Sequence, residues 1–207
     1  IVIDDNVGVN GGLAVAALDI QSAGDVHFSG SEATVDVNSL TIGSTTAVDA
    51  DVEFDAAVHV AGTVDINTST LTLDAALMTT AAGTVTVTNS GVADLNAKIT
   101  SAGAVHFDDA TTGSISLGAD IETTDVGSAI IVDAVPIILV AEVTMTTNDG
   151  DITLDEVLDD GAVSDRKLIL IAGTGAVLVD DNIGVNGGNE LDELDIRTAG
   201  NVLFTGA

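Results

Sequence analysis

The chain contains no cysteine, tryptophan or tyrosine, a single proline and only four basic residues. Without cysteine it has neither disulfides nor thiol chemistry, so no redox compartment is written into it. The four cations, Lys98, Arg166, Lys167 and Arg197, stand against 33 acidic residues, giving a formal net charge of -29. Neutralising phosphates takes clustered Lys and Arg, so nucleic acid is excluded as a partner, and insertion into or adsorption on an anionic membrane with it. Long apolar runs are missing too: the richest stretch, residues 129–143, is broken by Asp133, Pro136 and Glu142, which rules out a transmembrane helix there. Acidity with few aromatics describes many disordered chains, but here 46% of residues are hydrophobic and they alternate in short runs such as VTV and LTL. That is enough burial potential for a folded, all-β object. One proline is compatible with long unbroken ladders.

What the chain does contain is a repeat. The phrases SAGDVHF (22–28), VAGTVDI (60–66), AAGTVTV (81–87), SAGAVHF (101–107), NDGDITL (148–154), GTGAVLV (173–179) and TAGNVLF (198–204) share one pattern around Gly24, Gly62, Gly83, Gly103, Gly150, Gly175 and Gly200. Gly43 and Gly127 fill the two wide gaps. The marks follow one another at intervals of roughly 22 residues, the length of one coil of a β-solenoid. In each phrase the second and fourth residues after glycine are apolar and the third is polar or variable, the period-2 signature of a half-buried strand. The inward column reads Val26 and Phe28, Val64 and Ile66, Val85 and Val87, Val105 and Phe107, Ala129 and Ile131, Ile152 and Leu154, Val177 and Val179, then Val202 and Phe204. Thr45 and Ala47 after Gly43 fit poorly. Asn10-Gly11 and Asn186-Gly187 are strong turn pairs between strands.

A longer repeat lies over the first. Residues 1–31 return at 177–207 with 16 of 31 positions identical, including Asp4-Asp5-Asn6 as Asp180-Asp181-Asn182 and Leu18-Asp19-Ile20 as Leu194-Asp195-Ile196. Residues 1–176 thus make one large repeat, equal to eight coils of about 22 residues each. The expected fold is therefore a parallel β-helix of about nine coils of roughly 22 residues, two or three strands per coil, and about 45 Å long. Residues 1–207 read as one continuous solenoid segment, with 177–207 beginning the next copy of the large repeat. The apolar Ile1-Val2-Ile3 start and the stop inside a phrase read as an excerpt of a longer polypeptide.

The segment VDDNIGVNGGNELDELDIRTAGNVLFTG (179–206), with TTNDGDITLDEVLDDGAVSDRKLILIAGTGAVLV before it, resembles the repeats of giant filamentous-haemagglutinin-like surface proteins of bacteria. The resemblance covers nearly the whole chain. It implies a right-handed parallel β-helix, export through the outer membrane and display on the cell surface. The shared phrase holds no catalytic residue.

Candidate sites are few. His27 and His106 share the third position after a phrase glycine, and His59 lies three before one. The first two are separated by about four coils, or roughly 19 Å of rod, too far to share an ion. With no paired ligand spacing, all three read as surface histidines. Asp4, Asp5 and Asn6, with their copy Asp180, Asp181 and Asn182, are weak calcium candidates; they lack the EF-hand glycine and distal Glu, and a solvated turn is the competing reading. The carboxylate pairs Asp49 and Asp51, Asp108-Asp109 and Asp159-Asp160 have the chemistry of a polysaccharide-cleaving β-helix, yet the aromatic platforms and cations that would hold a sugar are missing. No phosphate loop, dinucleotide loop or nucleophile elbow occurs. Threonine steps at 84–88 and 144–147 are not kept in most coils, so they read as good strand residues, not an ice-binding ladder.

The sequence thus points to a non-enzymatic, cofactor-free structural segment of a giant extracellular bacterial fibre or adhesin, a stiff shaft whose partners are neighbouring repeats. The alternative is an acidic module that captures divalent cations such as calcium, a surface polysaccharide or a cationic surface.

Overall fold

The computed structural model describes residues 1–8, 15–30, 34–43, 48–109, 113–133, 136–155, 158–159, 166–180, 183 and 191–205. The turn pairs Asn10-Gly11 and Asn186-Gly187, the Thr45 and Ala47 positions and the side chains of Asp49, Asp109 and Asp159 fall outside them, as do Asp160, Asp181 and Asn182. All regular structure described is strand, and every pairing is parallel. No helix among the described residues is long and apolar enough to cross a membrane.

The strands stack into three walls. Wall A carries Leu18–Ile20, Leu40–Ile42, the first half of Val64–Leu73, Val85–Asn89, Val105–Asp109, Ile130–Asp133, Ile152–Leu154, Ala176–Val179 and Asn201–Phe204. Wall B carries Val2–Ile3, Val26–Phe28, Val48–Phe54, the second half of Val64–Leu73, Val92–Leu95, Ser114–Leu117, Ile137–Leu139 and Leu158–Asp159. Wall C carries Thr34–Val37, Ala57–Val60, Leu77–Thr79, Ile99–Ser101, Ile121–Thr123, Val143–Thr146, Lys167–Ile171 and Glu193–Thr198. The chain visits A, B and C in turn. The result is a β-solenoid of seven complete three-strand turns, where the phrase count predicts nine coils. Two of the nine phrase marks fail as coil starts. Gly24 precedes a wall B strand, one wall out of phase with the other phrases, and Gly43, at φ +77°, closes the wall A strand Leu40–Ile42 instead of opening one. Nine rungs on wall A at about 4.8 Å spacing make a stack of about 38 Å, shorter than the predicted length of about 45 Å.

Inside the turns the alternation holds, except that Ile169 is buried together with Leu168 and Leu170 on wall C, and that Val202 and Phe204, predicted to face inward, are exposed on the last described rung of wall A. Val64, Val85, Val105, Ile130, Ile152 and Val177 are all buried in one wall A column. In wall B, Phe28 stacks on Phe54 one turn on, with ring centroids 4.7 Å apart and planes 12° apart. The predicted inward pair Ala129 and Ile131 is displaced by one: Ile130 and Val132 face the core. Here Gly127 adopts φ +80° and Ser128 N–H donates back to the Asp125 carbonyl at 3.1 Å. This turn adds one residue before the strand, and a one-residue slip exchanges the faces.

At the corner leading from wall C to wall A the core becomes polar. Thr79, Ser101, Thr123 and Thr147 are buried there, and Thr79 and Ser101 join hydroxyl to hydroxyl at 2.9 Å. Both hydroxyls also lie within hydrogen-bond reach of the Gly83 carbonyl, at 2.8 and 2.9 Å, while Thr123 and Thr147 donate to the carbonyls of Ser128 and Gly150. The column satisfies carbonyls that the turning backbone takes out of the ladder. The phrase glycine is required at this corner by close approach. A Cβ on Gly83 would lie 2.0 Å from the Gly62 carbonyl oxygen, and one on Gly103 2.8 Å from that of Gly83. Gly24, on the other wall, has open space around it.

The two copies of the large repeat keep one internal register. Val2 pairs with His27 in the first, and their equivalents Leu178 and Leu203 pair in the second. Yet the first pair lies on wall B and the second on wall A. Likewise Leu18–Ile20 lies on wall A, while Leu194 and Ile196 lie on wall C. The large repeat therefore spans seven and two-thirds turns, not eight, at about 23 residues per turn. The second copy starts one wall away from the first.

Candidate functional site

Among the described residues, one set of His, Glu and Asp side chains converges closely enough to share an ion, where two turns of wall B lie side by side. Outward positions on adjacent parallel strands face one another across the ladder. Val26 pairs with Val52, His27 with Glu53 and Phe28 with Phe54. The buried flanking residues turn His27 and Glu53 outward. Asp55 follows Phe54 at the strand end, where its N–H donates to the Phe28 carbonyl at 2.9 Å. His27 Nε2 lies 2.9 Å from Asp55 Oδ2 and 3.6 Å from Glu53 Oε2. One ligand atom from each of the three residues falls within 4.8 Å of the other two. All three side chains are partly exposed. A shallow concavity beside them is lined by Gly24, Asp25, His27, Asp51 and Glu53, so the local field is strongly negative.

In the sequence His27 reads as a free surface residue, unconnected with Glu53 or Asp55. The signal that joins them is turn length. The short steps from Gly24 to Gly43 and from Gly43 to Gly62 conceal a longer wall B turn, the one that carries His27 onto Glu53.

The other candidates do not converge. His106 lies on wall A between Thr86 and Ile131, several turns from His27, and its Nε2 is buried without a hydrogen-bond partner. His59 faces the Asp36 carboxylate at 3.6 Å on wall C. Asp4, Asp5 and Asn6 are exposed, and Asn6 N–H donates to Asp5 Oδ1 at 2.7 Å. Asp180 accepts from the Thr205 hydroxyl. Asp51 accepts from the Thr70 hydroxyl of the next turn.

Lys98, Lys167 and Arg197 pair with acids, the first two of them across rungs. Lys98 reaches Glu122 at 2.5 Å. On the last described rungs of wall C, Lys167 contacts Glu193 at 2.6 Å and Asp195 at 3.1 Å, and Arg197 contacts Asp195 at 3.0 Å. Hydrogen bonds from Arg197 and then Lys167 hold the Asp195 carboxyl below its usual range. Those to Glu193 and then Asp195 raise the Lys167 ammonium above its own. Arg166 donates to the Leu139 carbonyl. The Lys98 and Lys167 pairs are solvated ladder contacts that register neighbouring turns.

Comparison with protein-family models, curated proteins and solved structures yields no match to this chain.

Proposed function

We propose that this chain is part of the shaft of a very large bacterial surface fibre or adhesin, a stiff spacer wound as a right-handed β-helix. The observation that carries the reading is the continuity of the ladder: three walls run in parallel register through seven turns, and the large repeat then starts again in the same internal register. A solenoid stabilised turn against turn gains length without a change of cross-section, which is what a spacer requires. The right hand follows the strong preference of parallel crossover connections. Display outside the cell rests on the resemblance of the repeats to filamentous-haemagglutinin-like proteins. The acidic outer faces, at a formal net charge of -29, keep such shafts apart from one another in solution.

Tandem arrays of one, two and three copies of residues 1–176 test the reading by solution scattering. The longest dimension is expected to grow by about 37 Å per added copy at constant cross-sectional radius, from a rise of about 4.8 Å per turn. Arrays that fold back into a compact particle, with a growing cross-section, would overturn it.

A further inference from the structure

We propose that His27, Glu53 and Asp55 form a binding site for a first-row divalent transition metal of the zinc type, which clips the wall B strands Val26–Phe28 and Val48–Phe54 together. The site goes beyond the shaft reading and does not depend on it.

The geometry suits such an ion. Ligands held about 2.0–2.1 Å from a tetrahedral centre lie about 3.3 Å from each other. The imidazole-to-carboxylate separations of 2.9 and 3.6 Å bracket that edge. The donor set is one nitrogen and two carboxylate oxygens, which favours zinc-like ions over calcium, whose sites are built from six to eight oxygens. The three donors are also preorganised. The ladder sets His27 opposite Glu53, the stacked Phe28 and Phe54 rings fix the strand beneath, and the Asp55–Phe28 backbone hydrogen bond holds the third ligand. The open concavity over Gly24 leaves room for water in the remaining coordination position.

Two internal comparisons separate this site from general surface acidity. Among the described residues only His27, of the three histidines, has two carboxylates within 4 Å; His59 has one. In the second copy of the repeat Leu203 stands where His27 stands in the first, and the strand pairing is unchanged. The phrase therefore folds without the imidazole, and the imidazole is free to serve a ligand.

The test is calorimetric titration of the metal-stripped chain with Zn2+ at pH 7.5 and 0.1 M NaCl, repeated with Ca2+. One saturable Zn2+ equivalent is expected, lost in His27→Leu and weakened at least tenfold in Glu53→Gln and Asp55→Asn, with His59→Ala unchanged. The natural Leu203 makes His27→Leu a conservative change, and its circular dichroism and melting midpoint confirm that the fold is intact. Two-dimensional NMR of the histidine rings supplies an independent readout, with Zn2+ shifting the His27 Nε2 signal ahead of the other two. Graded Zn2+ uptake without fixed stoichiometry, or uptake equal in wild type and His27→Leu, would show diffuse polyanion binding only and overturn the proposal. So would loss of binding in His59→Ala with His27→Leu unaffected.

Discussion

The phrase glycines look equivalent in the sequence, but Gly24 and Gly83 occupy different corners, and alanine at each tests the wall assignment. A Cβ at Gly83 meets the Gly62 carbonyl oxygen at 2.0 Å, far inside ordinary contact. The backbone must move to relieve this, and it has little freedom to do so. The Gly83 carbonyl accepts from Gly103 N–H at 2.6 Å, and the hydroxyls of Thr79 and Ser101 lie 2.8 and 2.9 Å from it. Overpacking costs about 1–3 kcal/mol, and lengthening one or two of these buried hydrogen bonds adds about 1 kcal/mol each. Gly83→Ala is therefore expected to destabilise by about 2–5 kcal/mol. At about 2–4 °C per kcal/mol for a chain of this size, the melting midpoint falls by about 4–20 °C. Gly24 has no neighbour within 4 Å of a built Cβ and is not among the residues with positive φ. Gly24→Ala is expected to be neutral or to stabilise by up to about 1 kcal/mol through the unfolded chain. With no tryptophan or tyrosine to report by fluorescence, circular dichroism of the strands is the assay. Equal downward shifts in the two variants would refute the placement of Gly24 and Gly83 on different walls.

Further outcomes follow from the same register. Val105→Asp puts a carboxylate into a fully buried column between Val85 and Ile130, at a cost of several kcal/mol, whereas His106→Asp on the outward face is tolerated; equal urea midpoints would contradict the facing. The chain lacks cysteine, so cysteine pairs report stacking cleanly: Lys167→Cys with Glu193→Cys should cross-link across wall C, and Ala176→Cys with Glu193→Cys should not, the reverse result restoring an eight-turn repeat. The stabilising effect of Asp195 is full above the ordinary aspartate pKa of 3.8 and is lost as pH falls through its lowered folded value. Lys167, raised, contributes fully below 10.5 and loses its effect as pH rises through its folded value. An NMR titration should place the Asp195 midpoint below 3.8 and move it upward in Arg197→Ala; an unmoved midpoint would discard the pairing.

The period-2 phrases made the all-β solenoid legible, because Val85 and Val87, Val105 and Phe107, and Ile152 and Leu154 need only their own alternation to face inward. Turn length was not legible in the same way. A solenoid accommodates extra residues at its corners without disturbing the walls, so spacing between glycines does not count turns. The turn at Gly127 displaced Ile130 and Val132 by one position, and Gly43 marks the end of a strand, not the beginning. The same ambiguity of phase hid the His27 cluster, whose members come together only once the turn from His27 to Glu53 is drawn. The wall change between the two copies of the large repeat is likewise absent from their identical residues. It is set by the summed lengths of all the turns between them.

The most direct test of the proposed shaft role is electron microscopy of the full-length natural protein. A straight fibre of constant width is expected, lengthening by about 37 Å for each copy of the large repeat in its sequence. A compact particle, with these residues folded into an enzyme-sized body, would contradict it.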